Sequence, residues 1–283
     1  MRTDKPLADK TAIITGGSGS IAEGSALCLL RDGADVVLVA RQEAPLAQSR
    51  DRLLAQVPDG EVAIIPGDCL DETVLQQAMA HAHGLHDRLD IIVATVGQGE
   101  LRPIMVHDAA SFRCDWERNV ISAFLAVRYG APYLPRGGAI TCISSIVANL
   151  PTRWMSAYAT AKGGLESFIR TAAEELAPAG IRVNAVRPGL TRSRLRGGIF
   201  NDPPMLDRML AEIPLGRGGE PADIGEAVRF LSGPEASWIT GQSLAVDGGN
   251  LLRKNADLRE YAAATYGEEM MQRIEDGDLS QFR

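Results

Sequence analysis

The chain has little lysine. Of its 29 basic residues only Lys5, Lys10, Lys162 and Lys254 are lysine; the rest are arginine. Cysteine is as sparse: Cys28, Cys69, Cys114 and Cys142 lie far apart with no Cys-x-x-Cys pair. That spacing suggests neither a disulfide framework nor a thiolate zinc site, and three of the four, in apolar or helical contexts, read as reduced packing residues. Long apolar runs are also missing, since none reaches the eighteen or so residues that cross a bilayer. The opening MRTDKPLADK lacks the apolar core of a secretion signal, so a cytoplasmic protein is expected. Positive charge is short overall: the formal net charge is −7, which disfavours nucleic acid or an anionic membrane as partner of the whole surface. His81, His83 and His86 cluster, but their spacing does not put all three on one helical face, so no metal site is expected.

What is present is ordinary globular material, 283 residues with 45% hydrophobic and 23% charged side chains. Short β-branched runs at 12–15, 36–40, 62–65, 90–95, 139–144, 182–186 and 243–246 read as strands. Amphipathic segments at 21–32, 73–82, 109–129 and 156–176 lie between them. This alternation predicts an α/β protein of Rossmann type, a doubly wound parallel seven-stranded sheet with helices on both faces. Ligands of such a sheet bind at the carboxyl ends of the strands, where the strand order reverses. Two stretches stand apart. Residues 190–220, rich in Gly, Pro and Arg, read as a mobile segment over a site, and 251–283 read as an extension beyond a single dinucleotide-binding and catalytic domain at 1–250.

The first strand runs into TGGSGSIAEG, Thr15–Gly24, a glycine-rich turn that opens a helix and so offers backbone N–H groups to a pyrophosphate. The second strand ends with Ala40 and Arg41 where a carboxylate would usually hold ribose hydroxyls. Arg41 offers charge to a 2′-phosphate instead, which favours NADP over NAD. Asp68 can accept from an adenine amino group or cap the helix that begins near Asp71. In SAYATAK, residues 156–162, Tyr158 and Lys162 are one helical turn apart on one face. A compact ammonium suits the role of a point charge beside a phenol, and a lysine packed past a half-buried tyrosine is the plainer alternative.

Taken in order, these pieces resemble the short-chain dehydrogenase/reductase family over about residues 8–250. The matching stretches are the glycine turn at 15–22, Asp68, LDIIVATVG at 89–97, Asn119 in WERNV, ISS at 143–145, Tyr158-x-x-x-Lys162, NAVRPGLTRS at 184–193, and 214–250. The resemblance implies that Tyr158 donates a proton in carbonyl reduction and takes one in alcohol oxidation. Lys162 then favours the phenolate and holds the nicotinamide ribose. Counting thirteen residues back from the tyrosine selects Ser145, not Ser144, to polarise the substrate oxygen, and Asn119 would hold a relay water. The implied cofactor set is Gly16, Ser18, Ser20, Ile21, Arg41, Asp68, Cys69, Gly97, Pro188, Gly189, Thr191 and Ser193, together with Tyr158 and Lys162. The implied partners are a small alcohol or carbonyl substrate and copies of the chain itself, as a homotetramer or homodimer.

The chain departs from the family pattern in three places. Two turn glycines are Ser20 and Ala22, which predicts a shifted loop path. NNAG has become Ala94-Thr95-Val96-Gly97, which removes the asparagines that brace the central strands. The extension carries Tyr261, Tyr266, Met270 and Ile274, which could cover a neighbouring subunit, close the substrate pocket, or simply pack as a surface helix. Arg192, Arg194 and Arg196 could bind an anionic substrate or form a solvated run. Ile199, Phe200, Met205, Leu206 and Met209 could line an apolar pocket. The leading expectation is an NADP(H)-dependent oxidoreductase of secondary alcohols or ketones. An NAD-dependent alcohol dehydrogenase and a non-catalytic dinucleotide-binding regulatory protein are the alternatives.

Overall fold

The structure, a computed structural model, describes residues 5–194 and 199–282. Seven strands, β1 (Thr11–Thr15), β2 (Asp35–Ala40), β3 (Val62–Pro66), β4 (Ile91–Ala94), β5 (Ala139–Ile143), β6 (Arg182–Pro188) and β7 (Ser243–Val246), form one sheet in the order β3-β2-β1-β4-β5-β6-β7. Every pairing is parallel. TAIIT, DVVLVA and AITCI are buried along their whole length, as strands covered on both faces must be. The order reverses between β1 and β4, so the crevice for a ligand opens at their carboxyl ends.

Helices α1 (Ser20–Arg31) and α2 (Glu43–Gln56) cover one face, with Leu29, Leu46 and Leu53 in its core. Helix α3 (Glu72–His86) covers the other, with Met79 in the core. Asp71 is the residue that caps α3, accepting from the Thr73 and Val74 amides; Asp68 accepts from Leu70 N in the preceding turn. The segment expected as one helix over 109–129 is continuously helical, as α4 (Ala109–Trp116), a π-helical turn Glu117–Ile121 and α5 (Ser122–Gly130). Asn119 lies in that turn and donates from Nδ2 to the Asp115 carbonyl, 2.8 Å away, a side-chain bond of the kind that bends helices. Helix α6 (Ser156–Leu176) packs beside it.

The segment after β6 holds a short helix, α7 (Pro203–Ala211), capped by Asp202; Arg196 lies outside the described residues. Helix α8 (Pro221–Ser232) crosses α1 where two glycines meet. A Cβ on Gly24 would lie 2.3 Å from the Pro221 carbonyl oxygen, and one on Gly225 would lie 2.3 Å from that of Gly24. The extension folds into α9 (Arg259–Tyr266) and α10 (Glu268–Glu275) and bonds to its own chain, on which Tyr266 Oη donates to the Leu101 carbonyl.

The two departures from the family pattern in this region are compensated. Thr95 Oγ1 donates to the Thr15 carbonyl at 2.6 Å, and Thr95 N donates to Thr15 Oγ1 at 3.3 Å. Two hydroxyls thus join β1 to β4, where the family pattern has asparagine. Ala22 is fully buried in the core, and Ser20 accepts from the Arg194 amide at 3.0 Å.

Candidate active site

A cavity of about 600 Å³ opens at the carboxyl ends of β1, β2 and β4. Gly16, Ser18, Ser20 and Ile21 line its glycine-turn side, Arg41 and Asp68 the side beyond β2 and β3, and Gly97, Thr191 and Ser193 the remainder. Gly16 has φ +71°, and a Cβ there would sit 2.7 Å from Thr95 Oγ1, so only glycine lets the backbone turn this tightly. Gly19 begins α1 without any side-chain cap, which leaves the helix start bare towards the cavity. These features fit a dinucleotide pyrophosphate.

Three expected cofactor residues contribute less than their side chains promise. The Cys69 thiol is buried against the Val39 carbonyl, and burial pushes its pKa up to about 11, so its main chain is what it can offer. Pro188 and Gly189 lie outside the cavity wall: Gly189 N donates to Val246, and its carbonyl accepts from Thr191 Oγ1 at 3.0 Å. They shape the turn that presents Thr191.

The candidate proton-transfer residues gather beside Gly97. Lys162 is 2% exposed and its ammonium donates to the carbonyl of Ile143, the last residue of β5, at 2.7 Å. It lies 5.7 Å from the centroid of the Tyr158 ring. A Cβ on Gly97 would be 2.6 Å from Asn119 Oδ1 and 2.8 Å from Lys162 Nζ, so both side chains converge on one bare backbone position. A Cβ on Gly99 would be 2.2 Å from the Tyr158 ring, which rests against that glycine. Asn119 donates from Nδ2 to the Gln98 and Asp115 carbonyls, each at 2.8 Å, while its Oδ1 is buried with no hydrogen-bond partner among the described residues. Such an orphaned acceptor suits a water or a ligand group.

Ser144 and Ser145 divide cleanly. Ser144 Oγ donates to Glu166 Oε1 at 2.7 Å, inside a buried network in which Arg187 forks onto both carboxylate oxygens at 2.8 and 2.7 Å. Ser145 is half-buried, and its Oγ accepts a long hydrogen bond, 3.4 Å, from the Val147 amide. Glu166 was not anticipated, yet the sequence carried the signal: it follows Lys162 by four residues, so Tyr158, Lys162 and Glu166 share one helical face. Glu23 was also missed. It is buried on α1 and held by Arg52, from α2, and by Arg194 across the cavity mouth. Burial works against ionisation, but the two guanidiniums outweigh it and hold the Glu23 carboxyl below its ordinary range. No signal in the sequence could pair residues this far apart.

The histidine cluster is remote from this site. His86 Nε2 pairs with Asp35 at 2.9 Å, and with Glu61 its ligand-type atoms lie within 4.8 Å of one another, at the amino ends of β2 and β3.

Burial lowers the Lys162 pKa from its usual 10.5 to about 8, partly offset by Cys142 and Glu166. Between those two values the unfolded chain binds a proton that the folded chain has released, so this group makes the fold gain stability as pH rises through that window. Unfolding free energy of the parent, measured from pH 7 to 10.5, is therefore expected to rise relative to Lys162→Met, by at most about 1.4 kcal/mol per pH unit. Parallel curves would contradict the assignment.

Comparison with known proteins agrees with this architecture. The sequence model of a family described as enoyl-(acyl carrier protein) reductase matches residues 16–250. Glucose 1-dehydrogenase of Gluconobacter oxydans is 33% identical over 245 residues, covering 86% of this chain and 92% of that protein. A short-chain type dehydrogenase/reductase from Mycobacterium ulcerans superposes with a TM-score of 0.88 at 31% identity, over 94% of this chain and 98% of the other. An NADPH-bound short-chain oxidoreductase of Pseudomonas aeruginosa, described as having an atypical catalytic centre, superposes with a TM-score of 0.82 at 29% identity, over 87% and 98%. The chain belongs to the short-chain dehydrogenase/reductase family, oxidoreductases of alcohol and carbonyl groups that bind nicotinamide dinucleotides.

Proposed function

We propose that the protein is an NADP(H)-dependent oxidoreductase of secondary alcohols and ketones in which Tyr158 moves the proton. The observation that carries this reading is the buried Lys162 ammonium, one helical turn from Tyr158 and sharing the Gly97 cradle with the orphaned Asn119 oxygen. When bound, the nicotinamide supplies or accepts the hydride. Tyr158 Oη gives its proton to the carbonyl oxygen in reduction and takes it from the alcohol in oxidation. The Lys162 charge stabilises the phenolate, and Ser145 Oγ donates to the substrate oxygen as charge grows there. Asn119 Oδ1 holds the water through which Lys162 exchanges protons with solvent. A binding module has no use for a buried ammonium beside a phenol, which disfavours the regulatory reading. Tyr158→Phe is expected to lower turnover at least about 1,000-fold while NADPH binding, followed by fluorescence titration, stays unchanged. Full activity in that variant would remove Tyr158 from the mechanism.

Arg41 supports NADP over NAD. It is exposed, lines the cavity just beyond Ala40, and makes no ion pair among the described residues, so its guanidinium is open to a 2′-phosphate. Arg41→Ala is expected to weaken NADPH about 10-fold or more and leave NADH unaffected. Equal losses for both would return NAD as the alternative.

A neutral substrate fits best. Arg192 pairs with Glu220, Arg194 shares Glu23 with Arg52, and Arg102 and Arg118 share Glu100, so each of these guanidiniums already has a carboxylate partner. A relative named for glucose points the same way.

Homotetrameric assembly is supported by exposed apolar side chains on two surfaces, Trp116 with Phe124 and Trp238 with Leu244. Trp238 is 98% exposed. Light scattering is expected to give the mass of four chains, and a monomer at micromolar concentration would refute it. With all four cysteines free and no described helix long and apolar enough to cross a membrane, a cytoplasmic setting is the proposed one.

A further inference from the structure

The extension is bonded to three segments on the substrate side of the site. Tyr266 Oη donates to the Leu101 carbonyl at 3.1 Å, and Asn255 Nδ2 donates to Thr152 Oγ1. On α7, Tyr261 Oη donates to the capping Asp202 at 2.9 Å, and Arg208 forks onto Glu260 at 2.8 and 2.6 Å. Between these lies Arg153. One guanidinium nitrogen donates to Asp257 at 3.1 Å and the other to Glu275 at 3.0 Å, while the group lies over the Trp154 ring, 4.5 Å from its centroid. Arg259 shares the Glu275 carboxylate and also forks onto Glu268.

Trp154 is an unusual residue to find in this position. Its φ is +70°, the left-handed region that a bulky aromatic avoids unless its surroundings hold it there. Its carbonyl accepts from the Arg102 amide at 2.6 Å, and its indole N–H is buried with no hydrogen-bond partner among the described residues. Helix α6 starts two residues later and Tyr158 follows in its first turn. Gly99, three residues before Arg102, is the residue against which the Tyr158 ring rests. The two loops that flank Tyr158 are thus bonded to each other through Arg102 and Trp154, and both are bonded to the extension.

We propose that Arg153 is a positioning residue: by bridging Asp257 and Glu275 while stacking on Trp154, it makes the C-terminal extension set the loops around Tyr158. This rests on Tyr158 being the proton-transfer group. Exposed ion pairs contribute little to stability one at a time, so the effect falls on geometry rather than on folding. A small displacement of a reacting group costs rate out of proportion to the energy that held it.

The test compares the parent with Arg153→Gln, Arg153→Lys and the double variant Asp257→Asn/Glu275→Gln. Amide hydrogen exchange and steady-state kinetics with NADPH and a graded series of secondary ketones are measured for each. Arg153→Gln and the double variant are expected to speed exchange at 99–104 and 152–158 and leave 15–24 unchanged. They should lower kcat about 10-fold with a smaller change in KM. NADPH affinity should not move. Lysine, which cannot fork onto two carboxylates, should restore the behaviour only in part. Unchanged exchange at 99–104 and 152–158, or a parent-like kcat in Arg153→Gln and in the double variant, would overturn the proposal. If no variant and no parent reduces any ketone while exchange changes as expected, the proton-transfer reading fails and the bracing by Arg153 stands.

Discussion

A single charge in a dry place organises the site. The Lys162 ammonium sits at the end of β5 with the Ile143 carbonyl as acceptor, shielded on all sides, and burying an unpaired charge without such contacts would cost several kcal/mol. Gly97 leaves it room, since a Cβ there would crowd both Nζ and Asn119 Oδ1, and a π-helical turn in the preceding helix brings Asn119 to the same point. The network behind it supplies negative charge: Glu166 is on the same face of α6, and is itself held by Ser144 and Arg187. The placement of Tyr158 follows from that of Lys162, since the two share a helix.

The dinucleotide end depends on a different constraint, close approach of backbone. Gly16 turns with positive φ against Thr95, and α1 starts at once, with no side chain over its first amides. Ser20 and Ala22, which break the glycine pattern, do not break this arrangement. Ala22 is packed into the core, and Ser20 anchors the segment after β6 through the Arg194 amide, while the Arg194 side chain reaches Glu23. The phosphate turn and the substrate-side segment are therefore joined across the cavity mouth. The extension joins that segment, at α7, to the loops beside Tyr158.

Charge in this chain is largely spent on such joints. Arginine outnumbers lysine about six to one, and at Glu23, Glu166, Glu260 and Glu268 it forks onto carboxylates as a lysine could not. The lysine at 162 is where a compact ammonium, not a planar fork, fits the space.

The sequence by itself determined the layered sheet, because runs such as TAIIT and DVVLVA are apolar on both faces and alternate with helical periods. It also determined the Tyr158–Lys162 pair, because a spacing of four is fixed by the helix alone. It placed the helix over 109–129 but not the π-helical turn within it, since a side chain bonding back to Asp115 leaves the hydrophobic period intact, and it read the Thr95 position as a lost brace. Only the tertiary structure decided that Thr95 and Thr15 bridge β1 and β4, that Asp71 rather than Asp68 caps α3, and that Arg153 lies between Asp257 and Glu275. These are meetings of side chains distant in sequence or choices between neighbouring carboxylates. Neither leaves a periodic trace, because packing sets them rather than local backbone preference.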